Sequence, residues 1–114
     1  MEGCIFCKIV AGRISSSKVY EDDNVMAFDD IHPMAPVHVI VIPKQHIPTF
    51  LDVGAGETQI MNQLTKAIQE VARMKNMDQK GFRVVVNCNE EGGQVIFHLH
   101  IHVLGGTKLK DELA

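Results

Sequence analysis

The sequence predicts an α+β domain: about five strands in a mostly antiparallel sheet, with one long and one short helix on one face. Two observations carry this prediction. Short runs rich in β-branched residues alternate with turn residues along most of the chain, as antiparallel strands do. One segment, residues 56–75, instead repeats its apolar residues at helical spacing. At 114 residues the chain has the length of one domain, predicted to span residues 1–114.

The five predicted strands are short runs bounded by turn residues. They cover residues 19–21, 25–28, 38–42, 82–86 and 95–104. The first two are separated only by Asp22-Asp23-Asn24, whose side chains favour tight turns, so this pair is predicted to form a hairpin. The third is nearly all β-branched and ends at Pro43, which cannot donate to a strand ladder.

Two helices are predicted, one short and one long. Residues 4–11 are expected to form a short helix or turn that ends at Gly12. The apolar residues of the long helix recur every three or four positions and so lie on one face: Ile60, Leu64, Ile68 and Val71. We interpret this stripe as core packing.

Composition and charge narrow the function. The formal net charge is -3 and there is no basic cluster, so nucleic acid is not an expected partner. A mononucleotide remains possible, because backbone amides can hold one phosphate without net positive charge. No signal peptide or membrane-spanning segment is visible, and the expected location is cytoplasmic. In such a chain, three cysteines favour thiols or metal ligands over disulfides.

The strongest functional signal is the run His-Leu-His-Ile-His-Val-Leu at residues 98–104. Because side chains alternate along a strand, His98, His100 and His102 would share one face while the apolar residues pack on the core. A neutral imidazole is a good nucleophile near neutral pH. The alternative is a solvated strand face that happens to be rich in histidine. We favour a site, since Gly92-Gly93 lies just before the run.

This run resembles the signature of the histidine triad (HIT) family of nucleotide hydrolases and transferases, and the final Leu-Gly-Gly is similar to its Hint-like branch. The resemblance extends over nearly the whole chain and implies a HIT-like fold. The matching segments are residues 4–9, 27–31, 35–38 and 41–47, Asn87, and residues 92–94.

The resemblance implies a purine nucleoside phosphoramidase-like hydrolase. His100 would attack the α-phosphorus of a nucleoside monophosphate derivative, and water would then cleave the nucleotidyl-histidine. A backbone carbonyl in the strand pair would orient the His100 ring through its other nitrogen. His102 would contact the phosphate and assist proton movement, with Asn87 beside the phosphate and His38 in a supporting role.

The same resemblance implies a purine mononucleotide derivative as substrate. Asp30 would bind the ribose hydroxyls, and backbone N–H groups of Gly93, Gln94 and Val95 would bind phosphoryl oxygens. The apolar walls around the base would be Ile5, Phe6, Ile9, Phe28 and Ile31. For each wall residue ordinary core packing is an equal alternative, and Asn87 can equally be a turn residue.

One position departs from the Hint-like pattern. Members of that branch usually carry a serine three residues before the first triad histidine, where it helps the amine to leave. This chain has Val95 there, which offers only its backbone N–H. The departure predicts slower phosphoramidate cleavage or a different preferred leaving group.

A second group of residues combines the Cys4-x-x-Cys7 motif with His46 and His98. Two thiolates and two imidazoles suit a tetrahedral structural zinc site, and a subset of the family is similar. A redox motif or a pair of buried thiols are the alternatives, although no strand precedes the motif as in thioredoxin-like folds. We interpret Cys88 as a free thiol.

Two other functions remain open. His98 and His100 could hold a catalytic metal with His102 or Asp30 as a further ligand, giving a metal-dependent hydrolase. Alternatively, the chain is a nucleotide-binding regulatory scaffold with little turnover, a reading that Val95 favours. The family resemblance also implies a homodimer whose sheet continues across the two-fold axis.

Overall fold

Five antiparallel strands form a single sheet in the computed structural model, which describes residues 3–112. The strands are β1 Lys18–Glu21, β2 Val25–Asp29, β3 Val37–Pro43, β4 Arg83–Val85 and β5 Ile101–Gly105, in the order β1-β2-β3-β5-β4. Two residues at each end of the predicted domain lie outside the described part. The predicted antiparallel α+β architecture is confirmed.

The first two strands form the predicted hairpin. The carboxylate of Asp22 closes its turn, because its Oδ1 accepts the backbone N–H groups of Asn24 and Val25, both at 2.8 Å. This is the local hydrogen bonding for which aspartate is favoured in turns.

One short and one long helix accompany the sheet, α1 Ile5–Val10 and α2 Thr58–Met74, with 3-10 turns at Phe50–Asp52 and Ala55–Glu57. The Sγ of Cys4 caps α1 by accepting the backbone N–H of Cys7 at 3.3 Å. No helix within residues 3–112 has both the length and the apolar character needed to cross a membrane.

The two helices pack on opposite faces of the sheet, so the expectation that they share one face was wrong. α2 covers Val25, Ala27, Val39, Val41, Ile101 and Val103. α1 places Phe6 and Ile9 against Met26, Phe28, Ile40 and Ile42. Four of the five β2 residues and six of the seven β3 residues are buried. Since neighbouring residues on a strand point to opposite faces, both faces of the sheet need an apolar cover.

The last strand is shorter than predicted. β5 begins at Ile101, so the prediction that His98 and His100 lie on a strand was wrong. The reason lies in the partners of this segment. The N–H of Leu99 donates to the carbonyl of Ile47 at 2.6 Å, in the loop after β3 and outside the strand ladder. Ladder pairing with β3 starts only at the Val41–Ile101 pair.

Candidate active site and metal cluster

The side chains of the three histidines lie on the α1 side of residues 98–102, as the alternating pattern predicts. Leu99, Ile101 and Val103 belong to the core under α2. On the other side, the ring of Phe6 contacts His98 and His100 at centroid distances of 5.9 and 5.1 Å, and the His100 and His102 rings lie 5.2 Å apart. The side chains therefore alternate between the two sides even at residues 98–100, which are not paired with β3.

His100 is held by a backbone carbonyl through one ring nitrogen. Its Nδ1 lies 2.7 Å from the carbonyl oxygen of His98, and the bond is buried. Because a carbonyl can only accept, Nδ1 carries the proton and the lone pair is on Nε2. The predicted carbonyl is present, but it belongs to the residue two positions earlier and not to a paired strand. The side chain is 8% exposed.

His102 forms a hydrogen-bonded chain with His38 that fixes both tautomers. The N–H of Met34 donates to His38 Nδ1 at 3.0 Å, so the proton of a neutral His38 is on Nε2. That nitrogen lies 2.9 Å from His102 Nδ1, which must accept. The Nε2 of His102 consequently carries a proton and is a donor. Asp30 Oδ2 lies 3.4 Å from the same His38 Nε2.

Burial keeps the His102 ring neutral. It lowers the pKa of His102 to about 4, and the neighbouring His100 and His38 rings act in the same direction, against the carboxylate of Asp30. A neutral ring with Nδ1 occupied and Nε2–H available is a hydrogen-bond donor at neutral pH.

The hydrogen bonds do not favour a catalytic metal held by His98 and His100. His98 Nε2 lies 2.8 Å from the carbonyl of Pro43, and its Nδ1 faces the thiols of Cys4 and Cys7. The Nδ1 of His100 is taken up by the His98 carbonyl. The two rings therefore do not direct unoccupied nitrogen atoms toward a shared metal position.

The predicted base-pocket residues divide into two groups. Phe6, Ile9 and Phe28 are buried in the apolar cluster under α1, where ordinary core packing accounts for them. Ile5 and Ile31 instead expose apolar side chains to solvent, 44% and 85% respectively. Exposed large apolar side chains are the ones available to a ligand.

The loop before the histidines is tightly self-bonded. Asn87 Nδ2 donates to the carbonyl of Gly92 at 2.7 Å. The N–H groups of Gly93 and Gln94 donate to carbonyls of the same loop, each at 3.0 Å. Within residues 3–112, the N–H of Val95 has no hydrogen-bond partner. Of the three amides predicted to bind phosphate, only that of Val95 is open here.

The side chain of Gln94 supports this loop from inside. It is buried, and its Nε2 donates to the carbonyls of Pro48 and Ile96 at 2.9 and 3.0 Å. Its Oε1 accepts the N–H of Asn89 at 2.9 Å. Every strong hydrogen-bonding atom of the amide is thus engaged with backbone. The sequence contained no signal for this role, because the partners come from three separate places in the chain.

Glycine is required at residue 92. A Cβ there would collide with the backbone of Cys88, so any side chain would force the loop open. Gly93 follows with φ +85°, a conformation that side-chain-bearing residues rarely adopt. The two glycines let the chain fold back on itself immediately before Val95.

Four predicted metal ligands meet at one point. The Sγ atoms of Cys4 and Cys7 and the Nδ1 atoms of His46 and His98 all lie within 4.8 Å of one another. Three S–N separations are 3.3, 3.3 and 3.5 Å. With Zn–S near 2.3 Å and Zn–N near 2.0–2.1 Å, a tetrahedron has S–N edges of about 3.5 Å. The donor set fits a tetrahedral zinc ion in chemistry and in size.

The surroundings of this cluster also fit a metal. Because the Pro43 carbonyl takes the Nε2 proton of His98, the lone pair on Nδ1 points toward the thiols, the usual arrangement of a histidine ligand. Burial lowers the pKa of His98, which keeps it neutral. Burial, with a hydrogen bond to Cys4, raises the pKa of Cys7. A metal would therefore displace a proton from Cys7 on binding.

An open cleft of about 460 Å³ lies beside the cluster. It runs between the start of α1 and residues 95–97 and brings together two predicted substrate residues, Ile5 and Val95. Val95 is 85% exposed and Phe97 contributes a second apolar side chain. The cleft can therefore receive an apolar group.

Comparison with known proteins gives one consistent result. The sequence matches the HIT domain family over residues 11–109. It is 41% identical over 113 residues to the purine nucleoside phosphoramidase of Escherichia coli K12, an alignment that covers 99% of this chain and 95% of that protein.

Solved structures are similar in fold as well as in sequence. A histidine triad protein from Clostridium difficile has a TM-score of 0.95 and 46% identity, covering 98% of this chain and 97% of that one. A HIT family hydrolase from Clostridium thermocellum has a TM-score of 0.96 and 40% identity, with 100% and 99% covered.

Proposed function

The chain belongs to the HIT family, as its resemblance to that family predicted, and on this premise we propose that it is a phosphoramidate-type nucleotide hydrolase. The reaction cleaves the bond between a purine nucleoside monophosphate and its leaving group. The observation that carries the proposal is the buried bond from His100 Nδ1 to the carbonyl of His98, which leaves Nε2 as a nucleophile. The relative from Escherichia coli, a purine nucleoside phosphoramidase by name, supports the substrate class.

In the first step, the lone pair on His100 Nε2 attacks phosphorus and the bond to the leaving amine breaks. The covalent adduct makes the ring cationic, and the Nδ1–H bond to the His98 carbonyl stabilises that charge. The amine takes up a proton from solvent as it leaves, and His102 assists this transfer while its Nε2–H donates to the phosphoryl group. Water then attacks phosphorus, the N–P bond to His100 breaks, and the proton that the water loses returns to solvent.

Substrate binding is assigned to one backbone amide, one carboxylate and two apolar side chains. The amide of Val95 contacts a phosphoryl oxygen, since it is the open donor of the three predicted. Asp30 binds the ribose hydroxyls, and the exposed side chains of Ile5 and Ile31 pack against the purine. Asn87 acts at the phosphate by holding the loop through its bond to Gly92.

The test is amine release from an adenosine phosphoramidate, with wild type, His100→Ala and His32→Ala assayed in parallel. His32 is an exposed histidine outside the triad and serves as the matched control. We expect turnover by wild type and by the control, none by His100→Ala, and a nucleotidyl adduct on His100 by mass spectrometry. Nucleotide binding without turnover in wild type would instead favour a regulatory scaffold.

We also infer that the Cys/His cluster binds zinc and that the chain forms a homodimer. Zinc supplies a structural crosslink between α1 and the segment before β5. β4 is an edge strand with Val84 45% exposed, a surface suited to pairing with a second copy. Val84→Lys should weaken the dimer in analytical ultracentrifugation. A monomeric wild type would contradict the dimer.

A further inference from the structure

We propose that His98 and Phe6 are positioning residues through which a metal in the Cys4/Cys7/His46/His98 cluster holds His100 in its reactive orientation. The proposal rests on the function proposed above, because it takes His100 as the nucleophile. It concerns what the cluster does for catalysis, in addition to its role as a crosslink.

The first connection runs through His98. Its side chain belongs to the cluster, with Nδ1 at 3.3 Å from Cys4 Sγ and 3.5 Å from Cys7 Sγ. Its backbone carbonyl accepts the Nδ1–H of His100 at 2.7 Å. One fully buried residue therefore contacts the metal ligands with its ring and the nucleophile with its backbone. A displacement of the ring is transmitted to the carbonyl that orients His100.

The second connection runs through Phe6, which lies between the two cysteines in sequence. Its ring packs nearly at right angles to those of His98 and His100, with interplanar angles of 85° and 73°. The side chain is only 4% exposed. Because this buried ring packs against both imidazoles, it limits how far His100 can rotate.

α1 depends on the cluster for its stability. It has six residues, too few to be stable alone, and Phe6 and Ile9 are its two buried residues. Without a metal, the thiols and imidazoles are joined only by weak S–H hydrogen bonds. Four metal–ligand bonds fix the same atoms far more tightly. Loss of the metal therefore loosens α1, then Phe6, and finally the ring of His100.

The catalytic consequence is a loss of kcat more than of substrate affinity. Misplacing a catalytic group by about 1 Å can cost up to about 100-fold in rate. Asp30 and Ile31, assigned to the ribose and base, lie outside α1, whereas Ile5, also assigned to the base, is its first residue. We therefore expect kcat to fall at least about tenfold in metal-free protein, with a smaller rise in KM.

The first experiment compares zinc-loaded with chelator-treated wild type. The readouts are the water-exchange rate of the His100 Nδ1 proton by NMR, identified by its absence in His100→Ala, and kcat and KM for an adenosine phosphoramidate. We expect slower exchange and higher kcat with zinc. Equal exchange rates and equal kcat, or failure to bind zinc, would overturn the proposal. Slower exchange with zinc but no turnover in either form would overturn the proposed function while supporting the positioning role.

The second experiment compares zinc-loaded Phe6→Leu with Phe50→Leu. Phe50 is a half-exposed phenylalanine in a 3-10 turn and controls for the substitution itself. Positioning by Phe6 predicts faster exchange of the His100 proton and lower kcat at unchanged KM. A raised KM at unchanged kcat would assign Phe6 to the base pocket and overturn its positioning role. If Phe6→Leu does not fold, the wild-type comparison decides.

Discussion

His98 and His102 are four residues apart in one repeating pattern, yet their surroundings differ almost completely. His98 is fully buried, with one nitrogen on the Pro43 carbonyl and the other facing two thiols. His102 is half-buried. Its Nδ1 accepts a hydrogen bond from His38, and its Nε2–H stays available as a donor. The role of each histidine is therefore set by its hydrogen-bond partners and not by its place in the motif.

Removing His98 should destabilise the protein more than any other change to the triad. Truncation of a fully buried ring leaves a cavity and an unpaired Pro43 carbonyl, so His98→Ala should lower the free energy of unfolding by about 3 kcal/mol. Urea denaturation measures this, with His32→Ala as the exposed control. A loss similar to that of the control would show that the ring is not part of the packed structure.

Removing His102 should affect rate before stability. His102→Gln loses the ring that assists proton transfer but retains a polar side chain, so kcat should fall by about 100-fold with little change in melting temperature. Steady-state kinetics and thermal melts on the same preparations separate the two effects. Full activity in this variant would remove His102 from the proposed mechanism.

Acidic pH should lower the free energy of unfolding through His102. An unfolded histidine protonates near pH 6.5, whereas burial lowers the pKa of folded His102 to about 4. Between these values the unfolded state binds more protons, so the free energy of unfolding falls as the pH drops through this window. The contribution is on the order of 2 kcal/mol.

Urea denaturation at pH 7 and pH 4.5 measures this contribution, and His102→Gln should show a smaller loss than wild type. The ring resonances of His102 should also stay those of a neutral imidazole down to pH 5. Titration of His102 near pH 6.5 would contradict the burial argument.

The smallest effect is expected at Val95. Val95→Ser introduces a hydroxyl beside the open amide, where it can assist the leaving amine, and should raise kcat for a phosphoramidate by about tenfold. Because the side chain is 85% exposed, stability should not change. Val95→Ala serves as the matched control without a hydroxyl. An equal increase in both variants would point to steric relief instead.

Much of the fold follows from local patterns in the sequence. The β-branched runs, the turn at Asp22 and the helical stripe of α2 each depend on neighbouring residues, and the hairpin and long helix were accordingly predicted. The side on which α1 packs was predicted wrongly, because it depends on which sheet face remains uncovered.

The sequence alone indicates that three histidines share one side and that two cysteines, His46 and the first of those three histidines can form a donor set. Period-two alternation and ligand chemistry are properties of the residues themselves. The tertiary structure decided that His100 hydrogen-bonds to the carbonyl of His98, that His38 fixes the tautomer of His102, and that Gln94 braces the loop. Every residue carries a backbone carbonyl, so only the folded chain determines which of them a ring or an amide reaches.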